Sequence, residues 1–134
     1  MCHKSDLLVW DVDDQFDGSK HDVIYWSSYT NFELDGIFSI PKLVEKNAEY
    51  LKSKYLKLIY DFGEININGK RIIDHLLIRK NFSYWWMTLL VEKCNISKSP
   101  QIDNIIKLMA FEKWLQENKY KRIELITAND ELAM

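Results

Sequence analysis

Hydrophobic and polar positions in this chain follow two periods, one suited to strands and the other to helices. Leu7-Leu8-Val9-Trp10 is a short apolar run ended by Asp11-Val12-Asp13-Asp14, and Val23-Ile24-Tyr25-Trp26 is a second, followed by polar residues from Ser27 to Asn31. Short apolar runs bounded by turn formers predict buried strands that open into loops. Gln15 to Asp22, which contains Gly18, and Glu33 to Gly36 are the polar breaks. Ser39 then offers an N-cap, with Pro41 in the first turn where a missing N–H costs nothing. Ile40, Leu43, Val44, Ala48, Leu51, Tyr55, Leu58, Ile59 and Phe62 recur at helical spacing, and Gly63 stands where a stop belongs. One helix of about twenty residues, roughly 30 Å long, is predicted there.

Asn68-Gly69 predicts a tight turn within a small hairpin, because both residues tolerate positive φ. Asp74 to Leu77 reads as a helical turn. Ser83 reads as the N-cap of a further helix through Tyr84-Trp85-Trp86-Met87 to Cys94. That helix would stack Trp86, Leu89, Leu90 and Lys93 on neighbouring turns and set Trp85 and Thr88 to one side. Adjacent side chains on a helix diverge by about 100°, so one tryptophan anchors the core while the other points elsewhere. Ser99-Pro100 opens another helix, with Ile102, Ile105, Ile106, Met109, Ala110 and Leu115 as its stripe and Trp114 on its flank. Arg122 to Thr127 reads as a strand, and Asn129-Asp130 as the cap of a helix with only Glu131-Leu132-Ala133-Met134 to follow. Strands alternating with helices predict an α/β fold: an open, mainly parallel sheet flanked by helices, Rossmann-like, in a single domain over residues 1–134. A parallel crossover needs a dozen or more residues, so the short last helix leads to the expectation of an N-terminal lobe, incomplete at its C-terminus, of a longer protein.

Composition narrows the class. The chain has 134 residues, 47% hydrophobic and 28% charged, which suits one packed core and excludes a disordered chain. A net charge of −2 argues against a broad basic surface, so no nucleic-acid partner is expected. Cys2 and Cys94 have neither a disulfide framework nor metal-ligand spacing. The absence of a signal-like segment or membrane-length apolar run leads to the expectation of a cytoplasmic protein.

Several motifs occur in a telling order: Leu8-Val9-Trp10-Asp11, Tyr25-Trp26-Ser27-Ser28-Tyr29, Ile40-Pro41-Lys42-Leu43-Val44-Glu45-Lys46-Asn47-Ala48, Tyr55-Leu56, Phe82-Ser83-Tyr84-Trp85-Trp86-Met87, Lys98-Ser99-Pro100 and Ile105-Ile106-Lys107-Leu108. Together they resemble the N-terminal part of a bacterial family of surface carbohydrate biosynthesis proteins. These are encoded in O-antigen (lipopolysaccharide) loci and regarded as glycosyltransferases. The resemblance runs from Leu7 to Ala133, and its most specific part is Ser83 to Met87. It implies a sugar-transferring enzyme of two nucleotide-binding-like α/β domains, working in the cytoplasm or peripherally at the inner membrane face. The N-terminal domain would meet a lipid-linked sugar acceptor, and a C-terminal domain, absent here, would hold most of the nucleotide-sugar donor. The chain alone would then be inactive.

The candidate residues each carry a plainer reading as well. Asp11, Asp13 and Asp14 follow a predicted strand, where open α/β sheets bind ligands. They can hold Mg²⁺ on a nucleotide-sugar diphosphate, or serve as nucleophile and acid in the manner of phosphatases; equally, acids after a strand cap and solvate a turn. His75 is the isolated acid–base candidate, against a structural histidine. Tyr84, Trp85 and Trp86 can form a platform for a sugar ring or an isoprenoid chain, against core packing. Glu92, Lys93 and Lys98 can orient an anionic group, against simple solvation. Asn129 and Asp130 follow the last strand at its ligand-facing edge, and N-capping explains them as well. No Gly-rich phosphate loop, zinc pattern or nucleophile elbow is present. Beside the acceptor-side glycosyltransferase domain stand two alternatives: a non-catalytic α/β module whose exposed tryptophan, tested by replacing Trp85, is an interface, and a phosphohydrolase-like enzyme using Asp11 and Asp13.

Overall fold

The expected alternation of strand and helix is present in the computed structural model, which describes residues 5–14, 21–30, 36–88, 91 and 100–134, with Glu131 described by its backbone alone. In chain order the elements are β1 (Asp6–Asp11), β2 (Asp22–Tyr25), β3 (Ile37–Ser39), α1 (Ile40–Lys46), α2 (Ala48–Gly63), β4 (Asn66–Ile67), β5 (Lys70–Arg71), α3 (Ile72–His75), β6 (Leu77–Arg79), β7 (Phe82–Ser83), a 3₁₀ turn (Tyr84–Met87), α4 (Pro100–Glu117), β8 (Arg122–Thr127) and α5 (Asp130–Ala133). They form two compact units, Met1–Asn47 with Lys107–Met134, and Ala48–Ile106.

The first unit is the α/β one. Its four strands lie in the order β3-β2-β1-β8, and every neighbouring pair is parallel. The chain steps outward from β1 to β2 to β3 and then returns to the other side of β1 with β8, which makes this an open Rossmann-like sheet with a reversal point between β1 and β8. Leu7, Leu8 and Val9 are buried on both faces of the sheet, as a parallel strand with two neighbours requires. On one face Leu7, Val9, Ile24 and Trp26 pack with Ile40 and Trp114, and Leu43, Val44, Phe111, Leu115 and Leu132 close around them. Burying each such aliphatic side chain contributes about 2 kcal/mol before the entropy of ordering it.

Trp114, expected on a helix flank, is instead the hub of this core. Its ring lies 4.8 Å from Phe38, 5.5 Å from Tyr120 and 6.3 Å from Phe111, centroid to centroid. β3 was not expected, because its three residues are too few for a periodic signal. The single long helix expected from Ser39 to Gly63 is two helices. Asn47 divides them: its backbone N–H and its side-chain Nδ2 both donate to the Leu43 carbonyl, at 3.1 and 2.8 Å, while its Oδ1 accepts from Lys113 Nζ at 2.7 Å. An asparagine side chain that claims a helical carbonyl competes with the next turn.

The second unit consists of local pieces. α2 buries Leu51, Tyr55, Ile59 and Gly63, four residues apart. β4 and β5 form the expected antiparallel hairpin, with φ of 52° at Asn68 and 82° at Gly69, as a mirror-image two-residue turn demands. The helical turn α3 comes two residues before its expected place. Arg71 fixes it by donating to both Asp74 oxygens (2.8 and 3.0 Å) and to both Glu64 oxygens (3.0 and 3.1 Å). This fork raises the Arg71 pKa and lowers that of Asp74. β6 and β7 make a second antiparallel hairpin that the sequence pattern did not announce.

Candidate functional site

Parallel strands end together, so the loops after β1, β2 and β8 gather at one edge of the first unit. The site forms there. Asp11 is the last residue of β1 and lies in register with Thr127, the last residue of β8. Thr127 Oγ1–H donates to one Asp11 carboxylate oxygen at 2.8 Å, and Ser27 Oγ–H, from just beyond β2, donates to the other at 2.8 Å. Thr127 Oγ1 also accepts the backbone N–H of Asn129 at 2.9 Å, which turns the chain towards α5. Trp10 Nε1–H donates to the Asp14 carbonyl at 2.7 Å and closes the loop after β1. Asp13 and Asp14 are exposed on that loop, while Asp11 is half-buried.

Residues 28 and 29, just after β2, are held by side-chain bonds as well. Ser39 Oγ–H donates to the Ser28 carbonyl at 2.8 Å, so this residue ties a loop down and gives no side-chain cap to α1. Tyr29 O–H donates to Glu45 of α1 at 2.9 Å, and that bond, with burial and the Glu45 charge behind it, raises the phenol's pKa. Residues 11–14, 23–30 and 123–130 include no lysine or arginine. Among its described residues the edge therefore offers hydroxyls, carboxylates and amides. A carboxylate has about four lone-pair positions, and with two used by Thr127 and Ser27, Asp11 keeps room for further donors.

The sequence pointed to Asp11, Asp13 and Asn129, and these occupy this edge. It missed Ser27 and Thr127, whose only signal was that each follows or ends an apolar run. Among the described residues no three histidine, cysteine, aspartate or glutamate side chains converge on a point that could hold a cation; an Mg²⁺ carried in on a diphosphate would need only one or two carboxylates, such as Asp11 and Asp13.

The other candidates belong to the second unit. His75 is exposed at the end of α3, and its Nε2–H donates to the Ile67 carbonyl at 2.7 Å, which braces α3 against the β4–β5 hairpin. Of the helix expected from Ser83 to Cys94, the described residues form a 3₁₀ turn as far as Met87, and Thr88 leaves it in extended conformation, φ −72° and ψ 153°; residues 89–90 and 92–94 lie outside the described residues. Thr88 Oγ1–H donates to the Trp85 carbonyl at 2.7 Å, taking an acceptor that a continuing helix would use. Ser83 does cap the turn, accepting the Trp85 N–H at 3.3 Å, and donates to the Ile73 carbonyl at 2.6 Å.

Adjacent residues of a 3₁₀ turn diverge by about 120°, and the tryptophans separate accordingly. Trp85 is the buried one, 3% exposed, and Trp86 is 52% exposed, so the outward ring is Trp86 and replacing Trp85 would test packing rather than an interface. Trp85 stacks on Phe62 with centroids 5.7 Å apart. Gly63 is part of the same packing: a Cβ there would lie 3.0 Å from Trp85 Nε1, and its φ is not positive. It serves close approach, not the left-handed stop expected of it. Tyr84 is exposed. Glu92, Lys93, Lys98, the Ser99 cap, His3 and both cysteines lie outside the described residues.

Among the described residues no helix is long and apolar enough to cross a membrane. Comparison of the chain with protein-family models, with curated proteins and with solved structures finds no match.

Proposed function

We propose that this chain is the acceptor-side lobe of a sugar-transferring enzyme of bacterial surface polysaccharide synthesis. It works in the cytoplasm, peripherally at the inner membrane face. The acceptor sugar binds at the β1–β8 edge, and a partner lobe handles the nucleotide sugar. The observation that carries this reading is Asp11, at the reversal point of a parallel sheet, with a hydroxyl donor on each carboxylate oxygen. Such a carboxylate is pre-aligned for a third donor, which a sugar hydroxyl supplies. Asp11 then orients that hydroxyl and accepts its proton as the oxygen bonds to the donor's anomeric carbon and the anomeric bond to the nucleotide breaks.

Charge favours a neutral polyol over a phosphate at this edge. Among the described residues of this edge, 11–14, 26–30 and 127–130, stand Asp11, Asp13, Asp14 and Asp130 and no lysine or arginine, so a phosphate monoester would meet like charge there. This weighs against the phosphohydrolase alternative.

Calorimetric titration of the chain with short neutral glycans, and separately with phosphate monoesters, tests the proposal. Glycan binding is expected, weakened about tenfold or more in Asp11→Asn, because a hydrogen bond to a charged group contributes about 1.5–3 kcal/mol. Phosphate-ester turnover abolished by Asp11→Asn, or no response to any glycan, would sink it.

A further inference from the structure

We propose that the β6–β7 hairpin and the 3₁₀ turn after it form a docking surface for an anionic lipid bilayer. This deepens the location half of the proposed function and is independent of the sugar chemistry at Asp11. From Leu77 to Met87 only Ser83 and Trp85 are buried. The exposed residues include Leu77, Ile78, Phe82, Tyr84, Trp86 and Met87, the last 60% exposed. A hairpin packed on one face shows alternate burial, yet all three residues of β6 are exposed. The same eleven-residue stretch, 77–87, carries Arg79 and Lys80 and no acid.

Large apolar side chains, two amphipathic aromatics and adjacent cations make up the chemistry that a membrane interface selects. Tyrosine and tryptophan settle at headgroup depth, and basic residues meet anionic headgroups. A second copy of the chain fits less well, since a two-fold interface sets the same patch against itself and would oppose Arg79 and Lys80 to their own equivalents.

The surface is braced from behind. Tyr84 N–H donates to the Leu76 carbonyl at 2.7 Å, Ser83 bonds to Ile73 at 2.6 Å, and Trp85 stacks on Phe62. Exposed side chains on a fixed turn lose little freedom when they insert.

The test is co-sedimentation of the whole chain with vesicles of phosphatidylcholine alone or mixed with phosphatidylglycerol. Binding is expected only with the anionic lipid. Arg79→Gln with Lys80→Gln should weaken it about thirtyfold, as two basic residues near a charged surface imply. Trp86→Ser with Met87→Ser should abolish it. All four residues are exposed, so unchanged circular dichroism is expected; should the serine pair unfold, the glutamine pair decides alone. Failure to bind either vesicle, binding that the variants leave intact, or a dimer by light scattering that Trp86→Ser dissolves would overturn the proposal. Loss of vesicle binding with glycan recognition intact sinks only the docking surface, whereas vesicle binding without glycan recognition sinks only the transferase reading.

Discussion

The two units treat aromatic residues in opposite ways. In the sheet unit Trp26 and Trp114 are interior, and Phe38, Phe111 and Tyr120 are packed around them. In the hairpin unit Tyr55 and Trp85 are interior, but Phe62, Phe82, Tyr84 and Trp86 are exposed. The sheet unit has two layers with which to cover its large rings, whereas two short hairpins beside a helix have too little surface to enclose theirs. The exposed rings of the small unit therefore mark a surface available for binding, while in the sheet unit the large rings, Tyr29 at the site edge apart, mostly line the core.

The comparison predicts that paired substitutions diverge. Trp114→Ala in one unit and Trp85→Ala in the other should each cost about 3–5 kcal/mol by denaturant titration, since both leave a ring-sized void. Trp86→Ala should change stability by less than about 0.5 kcal/mol, as exposed substitutions do. Equal effects from Trp85 and Trp86 would erase the distinction between inward and outward rings. Next in size, Gly63→Val should cost about 1–3 kcal/mol by overpacking against Trp85, with a lowered melting midpoint.

Tyr120 gives the sheet unit a dependence on alkali. Its O–H donates to buried Asp22 at 2.9 Å; burial first, then the Asp22 hydrogen bond and charge, push the phenol above its ordinary value of 10.0. A pKa raised by folding means that stability is fully present below the ordinary value and drains away as pH climbs through the higher folded one. Tyr120→Phe should cost about 1–2 kcal/mol at neutral pH and flatten the loss of stability above about pH 10. A small effect on stability is expected from Asp11→Asn as well, under about 1 kcal/mol, with its main consequence in ligand binding.

Much of the sheet unit was legible in the sequence. β1, β2 and β8 were announced by apolar runs, and the register of β8 against β1 made Asp11 and Thr127 neighbours although 116 residues separate them. Thr127 and Ser27 were illegible as site residues because hydroxyls acquire meaning only from what the topology sets beside them. The hairpin unit was harder to read. Its strands are two or three residues long, too short for period-2 alternation, and the Trp-Trp stretch reads as a helix until Thr88 takes back the Trp85 carbonyl. Asn47 shows the same limit: a helical stripe crosses it unbroken, and only its side-chain bond to Leu43 divides the helix.

The β1–β8 ladder also sets the order in which the molecule is built. During synthesis β1 emerges before the other strands of its sheet, gains β2 and β3, and then waits with one edge unpaired while residues 40–121 are added. The helix and hairpins of the other unit close over short sequence distances and can form meanwhile. For that interval Leu7, Leu8 and Val9 border an open strand edge, the kind of template on which nascent chains aggregate.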